Sequence, residues 1–279
     1  MRVKPFSLTM ALGTAGLLCV WAPRGFAQSP DWYKFGPAAR YQGTTVYDAN
    51  SDIMVLFGGQ HTDTTSNYND VWWAHNVVNA ACLPPCDLQW NGPTNMGTIP
   101  SARFGHSAIY DPVNLRMVVF AGATGVETPS PCLNDLYVLE NAIGSGGTPI
   151  WIKLSPTGSP PPIRYSHNSV YDAADNLMIV FGGSNCGSTY YNDVWVLTNA
   201  NGLGGTPAWS QLSPSGPAPS ARSLSSAVYD PASNRLIVYG GYNGSILGDL
   251  WVLTNANGLG GSPAWLQLQP GGTAPTKLQ

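Results

Sequence analysis

Arginine recurs at fixed positions in this chain, and its side chain is the first that could do chemistry. Arg40, Arg103, Arg164 and Arg222 each open a nine-residue segment that ends in Tyr-Asp. A guanidinium can hold a carboxylate through two parallel N–H bonds, so these side chains could line a polar mouth that binds a carboxylate or a sugar. The alternative, favoured because the arginine is present in every copy, is that each one bonds to loops or acidic groups of the next copy. We keep Arg103, Arg164 and Arg222 as candidate binding residues.

Two histidines follow the second and third of these arginines. His106 and His167 each lie three residues after their arginine, whereas the equivalent positions of the other copies hold Gly43 and Ser225. Two imidazoles on adjacent units could bind a metal ion, but a protein zinc site needs at least a third ligand. The pattern therefore favours hydrogen-bonded histidines, and no metal or cofactor is predicted. Both residues remain candidate binding residues.

Aspartate and tryptophan also recur once in each copy. Paired carboxylates can serve as general acid and base, yet an aspartate at the same place in every copy is more typical of a turn or cap, so no catalytic residue is predicted. The tryptophans could stack on sugars, but their recurrence at one position indicates packing between units. The aspartates are Asp70, Asp135, Asp193 and Asp249, and the tryptophans are Trp32, Trp90, Trp151, Trp209 and Trp265.

These residues are carried by a block of about sixty residues that is written four times. In the second copy the pattern predicts strand a at 104–110, strand b at 115–121, strand c at 136–140 and strand d at 150–154. A fixed period of this kind means one supersecondary unit stacked against copies of itself. We therefore predict an all-β propeller of four-stranded antiparallel blades. The blades are expected at about 40–92, 103–154, 164–212 and 222–268.

The repeat resembles the kelch repeat. Its signature is a pair of glycines after an apolar strand, as in Gly182-Gly183, an aromatic residue about a dozen positions later, and the tryptophan of the fourth strand. The second copy departs from it at Ala121, and the fourth lacks the asparagine before Asp249. The resemblance implies a kelch-type β-propeller like the central domain of galactose oxidase. Because kelch propellers serve as enzymes, glycan binders and protein-interaction platforms, it leaves the function open.

The two ends of the chain carry partial repeats. Residues 28–37, around Trp32, look like a lone strand d, and residues 270–279 align with the segment that opens the fourth copy. An incomplete ring is one interpretation of these unmatched ends. The expected architecture is thus four complete repeats plus an extra N-terminal strand d.

A secretory leader is predicted over residues 1–27. It has a positively charged start, a mostly apolar stretch at 6–20 and small residues before Gln28, where cleavage is expected. The apolar stretch is too short to span a membrane. We therefore expect a secreted, periplasmic or cell-surface protein whose mature chain has no membrane span.

Four cysteines remain after removal of the leader, which suits disulfide formation in an oxidising compartment. Cys82 and Cys86 lie in one local turn and are expected to pair. Cys132 and Cys186 lie in the same inter-strand loop of consecutive repeats, where neighbouring units touch. A disulfide between them depends on geometry that the sequence does not give, and two free thiols are the alternative.

The loops between strands b and c vary among otherwise matching copies, and variable loops on a repeated scaffold carry specificity. They contain Tyr68, Tyr190, Tyr191 and Tyr242, which we take as candidate binding residues. Uncharged polar groups with tyrosine suit glycans or neutral protein surfaces. Charged residues make up only 10% of the chain and the net charge is −3, which argues against a nucleic-acid partner.

The sequence thus predicts an exported module that binds a protein or a glycan through its b–c and d–a loops. One alternative, implied by the resemblance, is a secreted carbohydrate-active enzyme, either an oxidase or similar to a sialic-acid isomerase, with its site in the loops or in missing blades. The oxidase needs a copper site of tyrosine and histidine with a Tyr–Cys cross-link, and few histidines are available here. The other alternative is a structural surface repeat protein.

Overall fold

The computed structural model describes residues 36–61, 66–78, 89–92, 96–125 and 131–272. Within these ranges every regular element is a β-strand, and no helix could span a membrane. The predicted leader, the Cys82–Cys86 turn and most of the two partial repeats at the ends of the chain lie outside the described residues.

The strands form four antiparallel sheets of four strands each, which we call blades 1 to 4. Blade 1 contains β2 (Thr44–Asp48), β3 (Ile53–Phe57), β5 (Val71–His75) and β6 (Gln89–Asn91), and beside it β1 (Arg40–Tyr41) pairs with β4 (Gln60–His61). Blade 2 contains β7 (Ser107–Asp111), β8 (Arg116–Ala123), β9 (Cys132–Glu140) and β10 (Ile150–Leu154). Blade 3 contains β11 (Asn168–Asp172), β12 (Leu177–Phe181), β13 (Val194–Thr198) and β14 (Ala208–Leu212). Blade 4 contains β15 (Ser226–Asp230), β16 (Arg235–Tyr242), β17 (Ile246–Thr254) and β18 (Ala264–Leu268).

The predicted all-β architecture of four-stranded antiparallel blades is confirmed. In blade 2, strand d has the predicted bounds, whereas strand a begins later, at Ser107. The reason is an interruption of the ladder: Phe104 still bridges to Ala123 of β8, but the amide of Gly105 donates to the carbonyl of Gln42 in blade 1 at 2.9 Å. Strands b and c are longer than predicted because their hairpin continues past a register shift between Phe120 and Gly122.

Strand a of each blade lies beside strand a of the next, so β2, β7, β11 and β15 are neighbours in that order. Each sheet then runs from strand a to strand d. Because the strands alternate in direction, the b–c and d–a loops share one face of the molecule, which we call the loop face. The a–b turns and c–d linkers share the opposite face, which we call the linker face.

The blades are held together by apolar cores that lie between them. In each junction a phenylalanine of strand b contacts the strand d tryptophan of the following blade. The ring centroids are 4.8 Å apart for Phe57–Trp151, 4.9 Å for Phe120–Trp209 and 5.3 Å for Phe181–Trp265. Such aromatic pairs add about 0.5–1.5 kcal/mol to the effect of burial alone. Three of the repeated tryptophans therefore pack between blades, as their recurrence suggested.

Candidate functional site

The repeated arginines form ion pairs with the repeated aspartates. Arg103 donates from Nη1 to Oδ1 of Asp135 at 2.6 Å and from Nη2 to Oδ2 at 3.0 Å, and the other three copies have the same two-bond pair. Nη1 of Arg103 also donates to the carbonyl of Ala121 at 2.9 Å. Every pair lies within one blade. The expectation that each arginine bonds to acidic groups of the next copy is therefore wrong.

The side chains of Arg103, Arg164 and Arg222 are completely buried. A ligand cannot reach a guanidinium that has no exposed surface and already holds a carboxylate. This excludes the polar mouth that the sequence suggested at these three positions. Their role is to hold strand c of a blade against the segment that leads into strand a.

The main chain of the same arginines joins each blade to the one before it. The carbonyl of Arg103 accepts from the amide of Gly59 at 2.8 Å, and its amide donates to the carbonyl of Tyr68 at 3.0 Å. Arg164 and Arg222 bond in the same way to the preceding blade. One residue thus fixes its own blade through its side chain and the blade junction through its backbone.

The repeated aspartates accept hydrogen bonds from the arginines and, in some copies, from a tryptophan as well. Oδ2 of Asp249 also accepts from Nε1 of Trp251 at 2.6 Å. The hydrogen bonds from Arg222, then the one from Trp251, lower the pKa of Asp249 to about 2. A carboxylate held in this way stays ionised near neutrality and is unsuited to be a general acid. The turn or cap role expected at this position is replaced by an ion pair within strand c.

Replacing one of these arginines should destabilise the whole chain. In Arg164→Met, Asp193 loses both guanidinium bonds, and breaking a buried pair by removing one partner costs about 3–5 kcal/mol. Urea unfolding followed by tryptophan fluorescence measures the loss, with the exposed Lys153→Met in blade 2 as control. Adding Asp193→Asn to the variant should recover part of the lost stability, because it removes the carboxylate charge that no longer has a partner. A loss below about 1 kcal/mol, typical of a surface pair, would contradict this role.

The two candidate histidines are buried at the inner strands and join neighbouring blades. Nε2 of His106 hydrogen-bonds with Oγ1 of Thr44 at 2.8 Å, and Nε2 of His167 does so with Oγ of Ser107 at 2.7 Å. Burial, and then the charge of Arg103, lower the pKa of His106 to about 3. Burial and Arg164 lower the pKa of His167 well below its ordinary value. Both are therefore neutral hydrogen-bonding groups and not exposed ligand contacts, as the favoured interpretation held.

These histidines should make stability depend on pH below neutrality. The unfolded chain takes up a proton at each imidazole near pH 6.5, whereas the folded chain does so only at much lower pH. Their contribution is full above about pH 6.5 and is lost as the pH falls, by up to about 1.4 kcal/mol per pH unit for each histidine. Urea midpoints measured between about pH 7.5 and pH 5 should therefore fall, and the slope should shrink in His106→Gln and His167→Gln. An unchanged midpoint across that range would contradict the neutral burial of these groups.

Two of the candidate tyrosines cover arginines. Tyr68 lies over Arg40, with Cζ 4.1 Å from the ring centroid, and Tyr191 lies over Arg164 at 4.6 Å. Both rings are half-buried. Cation–π contact is worth about 0.5–1 kcal/mol at partly exposed sites, so these rings also serve the scaffold.

The other two tyrosines form a pair across a blade junction on the loop face. The rings of Tyr190 in blade 3 and Tyr242 in blade 4 meet edge to face with centroids 6.1 Å apart. Tyr242 is 39% exposed. Each has a backbone bridge to a segment of its own blade, Tyr190 to Ser184 and Tyr242 to Ser223, which fixes the loops that carry them.

A second aromatic pair continues this surface towards blade 2. Phe104 and Tyr165 meet edge to face at 6.0 Å, and Ser184 bridges to both Tyr165 and Tyr190. We call Phe104, Tyr165, Tyr190 and Tyr242 the aromatic row. Phe104 is buried beneath the row, whereas the three tyrosines are at least partly exposed and offer ring surface and hydroxyl groups on blades 3 and 4.

Phe104 and Tyr165 were not among the predicted site residues. The signal was present in the sequence, because the residue after the repeated arginine is aromatic in three of the four copies, as Tyr41, Phe104 and Tyr165, whereas the fourth copy has Ser223. Phe104 packs in the core at this position, whereas Tyr165 packs against it and keeps part of its ring exposed, so the same recurring position contributes to both core and surface.

A disulfide supports the same surface. The structure joins Cys132 of β9 to Cys186 in the b–c loop of blade 3, with Cα atoms 5.7 Å apart. Phe104 and Tyr165 pack around it together with Ala123. Closing a loop with a sequence separation of 54 residues stabilises by roughly 4 kcal/mol in the chain-entropy account. The bond ties the loops of blades 2 and 3 directly beneath the aromatic row.

No group of three or more His, Cys, Asp or Glu side chains suited to a metal ion occurs among the described residues.

A cleft of about 360 Å³ lies on the linker face between blades 1 and 2, lined by Ile53, Trp73, His75, Ile143 and Pro149 among others. It is remote from the loop face.

Comparison with known proteins agrees with this architecture. The family model described as the KLHDC2/KLHL20/DRC7 Kelch-repeats domain matches residues 75–279. Host cell factor 1 of Rattus norvegicus is 35% identical over 178 residues, which make up 60% of this chain and 8% of that protein. Dynein regulatory complex subunit 7 of Chlamydomonas reinhardtii is 30% identical over 141 residues, which make up 50% of this chain and 10% of that protein.

Among solved structures, the structure of YjhT superposes with a TM-score of 0.57 at 14% sequence identity, covering 85% of this chain and 66% of that one. At this identity the likeness shows the fold alone. The repeated glycines, aspartates and tryptophans hold the blades as described above, and the family model spans most of the sequence. The chain belongs to the kelch-repeat family.

Proposed function

We propose that this protein is an exported binding module that recognises a partner protein through its loop face. The observation that carries the proposal is the aromatic row, in which Tyr190 and Tyr242 meet across the junction of blades 3 and 4 on a surface where the neighbouring arginines are already paired. Tyrosine gives a large contact area at a low entropic cost, and its hydroxyl adds a hydrogen bond. Kelch propellers commonly serve in protein interaction, and one relative is by name a subunit of a regulatory complex.

A neutral glycan is the second candidate ligand. Exposed tyrosine rings can stack on sugar faces, and hydroxyl and amide groups of Ser188, Thr189 and Asn243 lie in the same loops. The absence of free charge in the row favours a neutral sugar over an acidic one. An enzymatic role or a purely structural one has less support, because the loop face offers recognition surface and the buried charges already have partners.

Truncation of the paired tyrosines should weaken ligand binding. Tyr190→Ala or Tyr242→Ala removes a ring at the centre of the proposed surface, and a residue of this kind contributes about 1–2 kcal/mol, or roughly five- to thirty-fold in affinity. Because the surface carries so little charge, the affinity should change only weakly with salt.

The measurement is a screen of neutral glycan arrays and of exported proteins, followed by titration of the best ligand with each variant. Val113→Ala is the control, since Val113 is 84% exposed on an a–b turn of the linker face. Tyr191→Ala reports on the scaffold contact with Arg164. Binding that depends on the linker face, or turnover of a sugar by the purified protein, would contradict the proposal.

The proposal that the protein is exported depends on the leader predicted at residues 1–27, and a separate experiment tests it. We expect protein recovered from the outside of an expressing cell to begin at Gln28 and to contain a Cys82–Cys86 disulfide in addition to Cys132–Cys186. Intact mass and peptide mapping without reduction measure both features. A retained leader or a free thiol at Cys82 would contradict the assignment.

A further inference from the structure

Asparagine followed by glycine occurs four times in this chain, and such a pair can react with itself. The backbone nitrogen of the glycine can attack Cγ of the asparagine side chain, because glycine has no Cβ to hinder the approach. The side-chain nitrogen leaves as ammonia, and water opens the cyclic imide to aspartate or isoaspartate. The four pairs are Asn91-Gly92, Asn201-Gly202, Asn243-Gly244 and Asn257-Gly258.

Two of these pairs are buried in the c–d linkers and are protected in the same way. Asn201 is 3% exposed and Asn257 is 7% exposed. Nδ2 of Asn201 donates to Oδ2 of Asp111 in blade 2 at 2.6 Å. Nδ2 of Asn257 donates to Oδ2 of Asp172 in blade 3 at 2.9 Å. The nitrogen that would have to leave therefore joins two blades, and its loss would place a second carboxylate beside a buried one.

The side-chain oxygens of the same two asparagines are also held, and their glycines are enclosed. Oδ1 of Asn201 accepts from Nδ2 of Asn176 and from the amide of Leu203, each at 2.8 Å. A Cβ on Gly202 would lie 3.3 Å from Leu154. The second pair has the corresponding contacts, with Asn234, Leu259 and Leu212. A side chain held through both its nitrogen and its oxygen cannot turn its Cγ towards the glycine unless the linker first opens.

A third pair lies in the outer strand of blade 1. Asn91 pairs with Trp73 in the ladder between β5 and β6. A Cβ on Gly92 would lie 2.8 Å from the carbonyl oxygen of Val71. The backbone of this pair is thus held against the neighbouring strand, which resists the bend that closure of the imide ring requires.

The fourth pair lies at the tip of the β16–β17 hairpin on the loop face, where the two strands are joined by Asn243, Gly244 and Ser245. A Cβ on Gly244 would meet nothing within 4 Å. Nδ2 of Asn243 donates to Oγ of Ser220 at 3.4 Å, which is long for a hydrogen bond, in an exposed contact. Residues 187–189 at the corresponding tip of blade 3 are exposed as well, although that blade has a neighbour on each side. The tip is therefore exposed because of its place in the blade.

The hairpin also favours attack on the side-chain carbon of Asn243. The amide of Ser245 donates to Oδ1 of Asn243 at 3.3 Å. A donor at this oxygen stabilises the negative charge that develops on it when the glycine nitrogen adds to Cγ. The leaving nitrogen is weakly held, the carbonyl is polarised and the glycine is open to solvent.

We propose that Asn243 is a site of spontaneous deamidation on the loop face, and that the fold protects the other three pairs. The backbone nitrogen of Gly244 loses its proton and bonds to Cγ of Asn243, Nδ2 leaves as ammonia, and water opens the imide. Opening at the side-chain carbonyl gives aspartate, which places a carboxylate directly after Tyr242, beside the uncharged rings of the aromatic row. Opening at the other carbonyl gives isoaspartate, which adds one main-chain carbon to the three-residue connection.

The test is ageing of the purified full chain at mildly alkaline pH, where the glycine nitrogen loses its proton more readily. Chymotrypsin cleaves after tyrosine, tryptophan and leucine and so places the four asparagines in separate peptides, in which mass spectrometry measures the replacement of amide by carboxylate. In the folded chain, Asn243 should react about tenfold faster, or more, than Asn201 and Asn257, which react only after local opening. In urea the four pairs should react at similar rates, because the protection by the fold is lost.

Two variants of the hairpin tip complete the experiment. Asn243→Gln keeps an amide but needs a larger ring to react, so the peptide that contains position 243 should stay unchanged while the melting temperature matches that of the parent chain. Asn243→Asp carries the charge of the product from the start and should elute with the aged parent chain on anion exchange. Conversion of Asn243 in the folded chain that is no faster than that of Asn91, Asn201 or Asn257 would overturn the proposal.

Discussion

The buried pair between a repeated arginine and a repeated aspartate is the interaction on which this fold depends. A charge without exposed surface is tolerated only where it is paired and hydrogen-bonded. Here the aspartate lies at the start of strand c and the arginine just before strand a, so satisfying the charge fixes the two segments relative to each other. The backbone of the same arginine is bonded to the preceding blade. The placement of each blade and the placement of its neighbour are therefore decided at one residue.

Around this pair, residues that recur from copy to copy mostly hold the backbone of each blade, whereas residues that differ between copies lie mostly on the surface. Ala121 illustrates the cost of departing from the repeat, because it has a positive φ of 59° at a position where the other blades use Gly58, Gly182 and Gly240. A residue with a Cβ is disfavoured in this left-handed region, typically by about 1 kcal/mol. Blade 2 bears that strain and keeps the same hairpin, which shows how far the surrounding contacts determine the backbone.

The architecture could be predicted from the sequence because the repeat period shows where each blade begins and ends. The strand d bounds of blade 2 and the packing role of Trp151 follow from period and residue type, whereas the turn or cap role expected of the repeated aspartates is wrong, because they pair with the buried arginines. The candidate site was predicted only in part. The sequence cannot show whether an arginine faces a ligand or a carboxylate, since both explain its recurrence equally well. The burial of Arg103, Arg164 and Arg222 in the structure shows that the partner is a carboxylate. Tyr165 was overlooked because a repeated residue can pack on one side, here against buried Phe104, and face solvent on the other.

The Cys132–Cys186 bond, one of the two alternatives that the sequence left open for these cysteines, makes the repeats unequal. An array of similar blades joined by similar apolar cores would be expected to open at any junction with comparable ease. The covalent link removes the junction of blades 2 and 3 from that equivalence, so these two blades form a clamped pair, whereas no disulfide joins blade 1 or blade 4 to them among the described residues. The aromatic row then spans a rigid segment and a more independent one, with Tyr165 and Tyr190 on the clamped pair and Tyr242 on a blade that can separate from it. A ligand bound across Tyr190 and Tyr242, as proposed above, would hold blade 4 against the clamped pair.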